Sequence, residues 1–191
     1  MSDRPSPGSR LDRPARLARQ ITAALDAAGH TVAAAESLTA GALCQVLAEA
    51  PGASAVLRGG VVAYATELKE GLLGVDAALL REHGPVDAGV AAQMAEGVRR
   101  LTGAWYGLAT TGVAGPAPQD GHPVGTVFVA LASPRGTTTA EPSPAAGDRD
   151  GIRRAAVLAA LELLHGVLRP PADQGVPRFG SGPAGRRAPC F

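Results

Sequence analysis

Ser37, Tyr64 and Lys69 are residues whose types and spacing suit nucleophilic catalysis by a serine. A serine hydroxyl is a weak nucleophile until a base takes its proton, and a lysine of lowered pKa can serve where no histidine is placed to help. Ser37 lies in AAAESLTAG, Ala33 to Gly41, where a run of small apolar residues breaks into Glu36, Ser37 and Thr39 before small residues reopen a helix. Tyr64 falls at the predicted end of a second strand, and Lys69 lies about one helical turn further on. A plainer reading of each stays open at this level. Ser37 or Thr39 can simply cap the next helix, Tyr64 can be a half-buried strand residue, and Lys69 can be a solvated lysine beside Glu67 and Glu70.

The elements that must hold these residues alternate along the chain. ARLARQITAALDAAG is helical by the spacing of Leu17, Ile21 and Leu25, with Gly29 as its stop, and HTVAAAE follows as a short buried strand. GALCQVLAEA is a helix ending at Pro51, and VLRGGVVAYA is a strand. TELKEGLLG and DAALLREHG are two short helices closed by Gly74 and Gly84. DAGVAAQMAEGVRRLTG, capped by Asp87, leads into WYGLATTG as a third strand. GTVFVALAS and TTTAEPS make a hairpin around Pro134 to Gly136. The last helix is DRDGIRRAAVLAALELLHGVL, with a buried stripe of Leu158, Leu161 and Leu164 or of Val157, Leu161 and Leu168. Strands separated by helices with one late hairpin predict an α/β fold, a three-layer α/β/α sandwich on a mixed sheet.

In such sheets the loops at the carboxyl ends of the strands form the ligand crevice. Here those loops are ESLTAG, YATELK and TTGVAGPAPQDGHPVG. The third carries Gly112, Gly115, Gly121 and Gly125 with Thr110 and Thr111, which offer backbone N–H groups and hydroxyls to an anion. It is not a GxxxxGK[ST] loop, and glycine and proline also mark an ordinary long turn.

Composition narrows the function further. With 191 residues, 46% of them hydrophobic, the chain is expected to form one domain over 13–168 between flexible ends at 1–12 and 169–191. A net charge of +1 and 3% aromatics offer neither a basic stripe nor stacking platforms, so no nucleic-acid partner is expected. The N-terminus lacks the apolar core of a signal peptide and no stretch has the length of a membrane span, so no membrane partner is expected and the chain reads as cytoplasmic. Cys44 and Cys190 form no ligand motif, and His30, His83, His122 and His165 lie far apart; neither a metal nor a cofactor is expected.

Five segments, in order, resemble the C-terminal domain of the competence-damage-inducible protein CinA, the family of nicotinamide mononucleotide (NMN) deamidases also called PncC. AESLTAG is similar to the family's AESxTGG, and GGVVAYATELKEGLLGV to its G-x-V-x-Y-x-x-x-x-K-x-x-x-G-V segment. TGVAGP and PVGTVFVA are similar to its TGIAGP and PVGTV, and GDRDGIRRAAVLAAL to its GDR-x-x-x-R segment. The likeness runs from about Thr31 to Leu168. Three positions depart from the pattern: Ala40 stands where the family has a second glycine, APQDG (Ala117 to Gly121) replaces the usual DGG, and Ala145 replaces an aromatic. Leu38 stands where cysteine is common, so a thiol nucleophile is lacking beside the serine.

The resemblance implies a fold like the anticodon-binding domain with a five-stranded mixed sheet. It implies hydrolysis of NMN to nicotinate mononucleotide and ammonia, with Ser37 as nucleophile assisted by Lys69 and Tyr64. N–H groups of the ESLTAG turn, Gly41 among them, would hold the oxyanion, and Glu36 would anchor that turn or orient Lys69. Thr39, Thr111, Gly112, Gly115, Thr126 and Arg149 would grip ribose and phosphate. The family's full-length members carry a further N-terminal domain, so a stand-alone module is expected, and family habit suggests a homo-oligomer. The alternative is a family member without turnover that binds nucleotides or a protein.

Overall fold

The computed structural model describes residues 13–142 and 147–169. Expectations for 1–12, for 170–191 and for Ala145 concern positions outside the described residues. Helix α1 (Arg13–Ala28) buries Leu17, Ile21 and Leu25 along one face, and Gly29, at φ 64°, turns the chain out of it. Strand β1 (Val32–Glu36) is buried throughout. Its alternate residues face opposite sides of the sheet: Val32 and Ala34 join one core, Ala33 and Ala35 the other.

The chain continues through α2 (Ala42–Ala48), α3 (Ala53–Val56), β2 (Leu57–Val62), α4 (Thr66–Leu73), α5 (Ala77–His83) and α6 (Ala88–Thr102). It ends in β3 (Tyr106–Gly112), β4 (Val127–Ser133), β5 (Gly136–Ala140) and α7 (Arg149–Leu168). The five strands lie in the order β2-β1-β3-β4-β5. β1 pairs in parallel with β2 and β3, and β4 runs antiparallel to both β3 and β5. This is the three-layer arrangement on a mixed sheet that the sequence predicts.

One apolar core lies between the sheet and α1, α2 and α7, and the other between the sheet and α4, α5 and α6. Small residues set how closely these layers approach. A Cβ on Gly97 of α6 would stand 2.0 Å from the Leu73 carbonyl oxygen, and one on Gly107 of β3 would stand 2.1 Å from that of Ala95. Glycine at these two positions is therefore a packing requirement of the helix–helix and helix–sheet contacts.

Some boundaries differ from expectation. α2 stops at Ala48, and Val56, predicted to open a strand, instead closes a four-residue helix, α3, which turns the chain back to the sheet edge before β2 begins at Leu57. β2 ends at Val62, so Tyr64 lies in the link to α4 rather than in the strand. The α7 stripe matches neither expected register: Ile152, Ala156, Val157, Ala160, Leu161 and Leu164 are buried, while Leu158 and Leu168 pack only partly against that core. The alanines share the burial because α1 and β4 approach α7 closely.

Candidate active site

The parallel strands β1, β2 and β3 all end on one side of the sheet, and there the chain departs toward different faces, to α2 after β1 and to α4 after β2. A crevice at such a switch point follows from the topology. It is a small cavity of about 140 Å³. Ser37 and Leu38 line it after β1, Tyr64, Thr66 and Lys69 after β2, and Thr111 to Gly115 at the end of β3. Pro85 and Val86, from the link between α5 and α6, and Arg149 of α7 complete the walls with Ala117 and Gln119.

The turn that carries Ser37 is held by its neighbour. Glu36 is wholly buried, and its carboxylate accepts the N–H groups of Gly41 at 2.9 Å, Leu43 at 3.0 Å and Cys44 at 2.8 Å. It thereby satisfies the first N–H groups of α2, which has no side-chain cap at Gly41. Of the two expectations for Glu36, anchoring the turn is the one its contacts fit; among the described residues its carboxylate makes no hydrogen bond to Lys69. Ser37 N–H donates to the Thr110 carbonyl at 3.0 Å, which ties the turn to β3. The Ser37 hydroxyl is left without a protein hydrogen-bond partner among the described residues, on the cavity wall.

Lys69 is 1% exposed, in the second turn of α4. Its Nζ donates to the carbonyls of Ala63 at 2.9 Å and Tyr64 at 3.4 Å. Among the described residues it has no carboxylate within ion-pair distance. Burial pushes its pKa below the usual 10.5, against a smaller opposing pull from Glu67. A neutral amine has two N–H donors and one lone pair. With the donors committed to two carbonyls, the lone pair is what remains for the cavity.

The other expected ligand residues divide. Thr111, Gly112, Gly115 and Arg149 line the cavity; Glu36, Thr39, Gly41 and Thr126 do not. The Thr39 hydroxyl pairs with that of Thr110 at 2.7 Å in the interior. The Gly41 N–H is taken by Glu36, which removes it as an oxyanion donor. Thr126 is buried, its backbone pairing with Val113 and Pro123. These four support the walls from behind. In the turn, Ala40 and Ala42 N–H groups are also engaged internally. Among the described residues, the N–H groups of Leu38 and Thr39 have no protein acceptor.

Arg149 donates to the Gly115 carbonyl and to the Tyr64 hydroxyl at 2.6 Å. Four residues on, Arg153 donates to the carbonyls of Leu38 at 3.1 Å and Thr39 at 2.8 Å. Sequence reading passed over Arg153, although its spacing from Arg149 puts both on one helix face. Pro85 and Val86 carried no chemical signal. Cys44, beside Glu36, has its thiol pushed up to about 12 by burial first and by the adjacent carboxylate second. Among the described residues no three His, Cys, Asp or Glu side chains gather to hold a metal ion, and no helix is long and apolar enough to cross a membrane.

Residues 14–168 match the family model described as the CinA C-terminal domain. The chain belongs to the CinA C-terminal domain family. It is 54% identical over 138 residues to a "CinA-like protein" of Frankia casuarinae, across 72% of this chain and 32% of that relative. A "putative competence-damage inducible protein" of Desulforamulus reducens is 49% identical over 142 residues, across 74% of this chain and 34% of its own length. The chain thus spans about a third of these curated relatives. Among solved structures, the competence/damage inducible protein CihA of Agrobacterium tumefaciens superposes with a TM-score of 0.79 at 34% identity, covering 88% of this chain and all of that one. A CinA superfamily protein of Escherichia coli gives 0.78 at 30% identity, over 85% and 95%. The five-stranded mixed sheet packed by helices is the fold of these CinA structures.

Proposed function

We propose that the chain is an amide hydrolase that converts nicotinamide mononucleotide to nicotinate mononucleotide and ammonia. The observation that carries this reading is the pairing, in one cavity, of an unengaged serine hydroxyl with a buried lysine whose pKa is lowered and whose N–H groups are spent on carbonyls. Ser37 Oγ attacks the carboxamide carbon while the Lys69 lone pair takes its proton. The carbonyl oxygen, now negative, is met by the N–H group of Leu38, on the cavity wall. The proton passes to the departing amine, ammonia leaves, and water enters to cleave the acyl-enzyme by the same route in reverse. The Tyr64 hydroxyl, oriented by Arg149, sits on the wall where it can relay or stabilise that proton.

The volume of about 140 Å³ is below the ~300–1,000 Å³ of sites that enclose a whole ligand. It suits a flat ring with its carboxamide, and the ribose phosphate would extend along the TGVAGP loop toward Arg149. Family membership supports the reaction class, and the cavity lining supports the roles of Ser37 and Lys69.

The test is ammonia release by the purified protein from NMN, with nicotinamide and nicotinamide riboside as controls. Ser37→Ala should lower turnover by more than about a hundredfold while NMN still binds. Absence of ammonia from the parent protein, or an alanine variant near the parent rate, overturns the reading.

A further inference from the structure

Arg153 leaves α7 one turn beyond Arg149 and on the same face of the helix, yet it does not line the cavity. Its Nε donates to the Leu38 carbonyl at 3.1 Å and a terminal nitrogen to the Thr39 carbonyl at 2.8 Å, so one planar fork grips two consecutive peptide groups of the serine turn. The acids closest to it along α7 are engaged elsewhere: Asp148 caps the helix through the Gly151 N–H, and Asp150 pairs with Arg154. Among the described residues no carboxylate lies within ion-pair distance of Arg153. Its charge meets carbonyl dipoles instead.

The contacts continue in series toward the cavity. In a trans peptide the C=O and the N–H point to opposite sides, and among the described residues only the Gly115–Pro116 bond is cis. The Thr39 carbonyl held by Arg153 therefore belongs to the peptide group whose other side is the Ala40 N–H. That N–H donates to the Ser37 carbonyl at 3.1 Å, and the other side of the Ser37 peptide group is the Leu38 N–H. Leu38 lines the cavity. Guanidinium, Thr39–Ala40 peptide and Ser37–Leu38 peptide thus form a chain in which each donor is polarised by the one behind it, and hydrogen bonds in such a chain strengthen one another.

The turn also has to be held. Ala40 has φ 50°, in the left-handed region that a residue with a Cβ seldom enters. Arg153 takes carbonyls just before it and Glu36 takes N–H groups just after it, so the strained residue lies between a cation and an anion, each on the side its charge suits.

We propose that Arg153 is a positioning residue for the oxyanion: through the Thr39–Ala40 and Ser37–Leu38 peptide groups it orients and polarises the Leu38 N–H that meets the negative carbonyl oxygen. This role rests on the amide-hydrolase reading of Ser37 and Lys69. Because that negative charge develops only as the bond is attacked, loss of Arg153 lowers kcat and leaves KM nearly unmoved.

Arg153→Met and Arg153→Lys are compared with the parent in ammonia release from NMN and, without substrate, in the backbone amide spectrum of the 15N-labelled proteins, with circular dichroism verifying that each is folded. Arg153→Met should lower kcat by about tenfold or more, within the ~10²–10³ that an oxyanion donor supplies, while KM changes by less than about twofold. Arg153→Lys keeps the charge without the fork and should recover part of the loss. The Leu38 amide proton of the methionine variant should move upfield farther than those of Gly41, Leu43 and Cys44, which Glu36 holds. If the methionine variant is unfolded, the lysine variant carries the same comparison with the parent. A kcat at the parent value, a raised KM at unchanged kcat, a lysine variant no faster than the methionine variant, or an unmoved Leu38 amide each overturns the role. If the parent releases no ammonia, the deamidase reading fails separately, and the Leu38 shift alone decides whether Arg153 governs this N–H.

Discussion

Arg149 and Tyr64 are 85 residues apart in sequence, and the guanidinium donates to the phenolic oxygen at 2.6 Å. This bond pins the β2–α4 link to the last helix across the mouth of the cavity. It also gives Arg149 an occupation beyond the anion it was expected to grip, since its other nitrogen serves the Gly115 carbonyl. Phosphate binding and Tyr64 positioning separate by substrate. If Arg149 holds phosphate, Arg149→Ala lowers kcat/KM for NMN by about 1.5–3 kcal/mol and hardly alters residual turnover of nicotinamide riboside. Equal losses on both substrates, matched by Tyr64→Phe, would make Arg149 a positioning residue and nothing more.

If Lys69 is the base, it sets the pH dependence. Its folded-state pKa lies below 10.5, so the neutral amine becomes available as pH rises through that lowered value. The rate should climb along a one-proton limb with its midpoint below 10.5 and level off above it. Lys69→Arg should remove the limb together with the activity, because a guanidinium keeps its proton. An arginine variant with parental rate and profile would exclude Lys69 as the base.

Glu36 predicts a stability effect. Its carboxylate serves three N–H groups in the interior, so Glu36→Ala leaves buried donors unpaired and should cost on the order of 3 kcal/mol in urea unfolding. Glu36→Gln keeps one acceptor oxygen and should cost less. Equal stability of the alanine variant and the parent would show that the turn needs no anchor.

Cys44 should be inert. With its thiol pushed up to about 12, iodoacetamide at pH 8.5 should modify it more than about a hundredfold more slowly in the folded protein than in urea. Peptide mass spectrometry reads the site directly, and comparable rates in both states would contradict the burial of this thiol beside Glu36.

Much of this architecture is legible in the sequence because the apolar periods and the loops after strands obey simple rules. Leu17, Ile21 and Leu25 announce α1, and the run through Ala35 announces a strand buried on both faces. What is not legible depends on distant neighbours. Lys69 stands between Glu67 and Glu70, and its local pattern is that of a surface lysine; the carbonyls of Ala63 and Tyr64 draw it inward. Thr39 and Thr126 look like ligand hydroxyls from their motifs, yet Thr39 meets Thr110 in the interior and Thr126 is buried just before β4, its backbone bonded to Val113 and Pro123. The four-residue α3 is too short to leave a periodic signal.

The clamp from Arg153 onto Leu38 spans 115 residues of chain. At ~5–20 residues per second, a ribosome needs on the order of ten seconds to travel from one to the other. A nascent chain therefore displays Ser37 and Lys69 well before it has made the arginine that steadies the carbonyls of the serine turn. Whatever this turn does in the finished molecule, its final geometry waits for the last helix to be synthesised and docked. A truncated translation product would keep the Glu36 and Thr110 contacts of the serine turn and lack the arginine that caps its carbonyls.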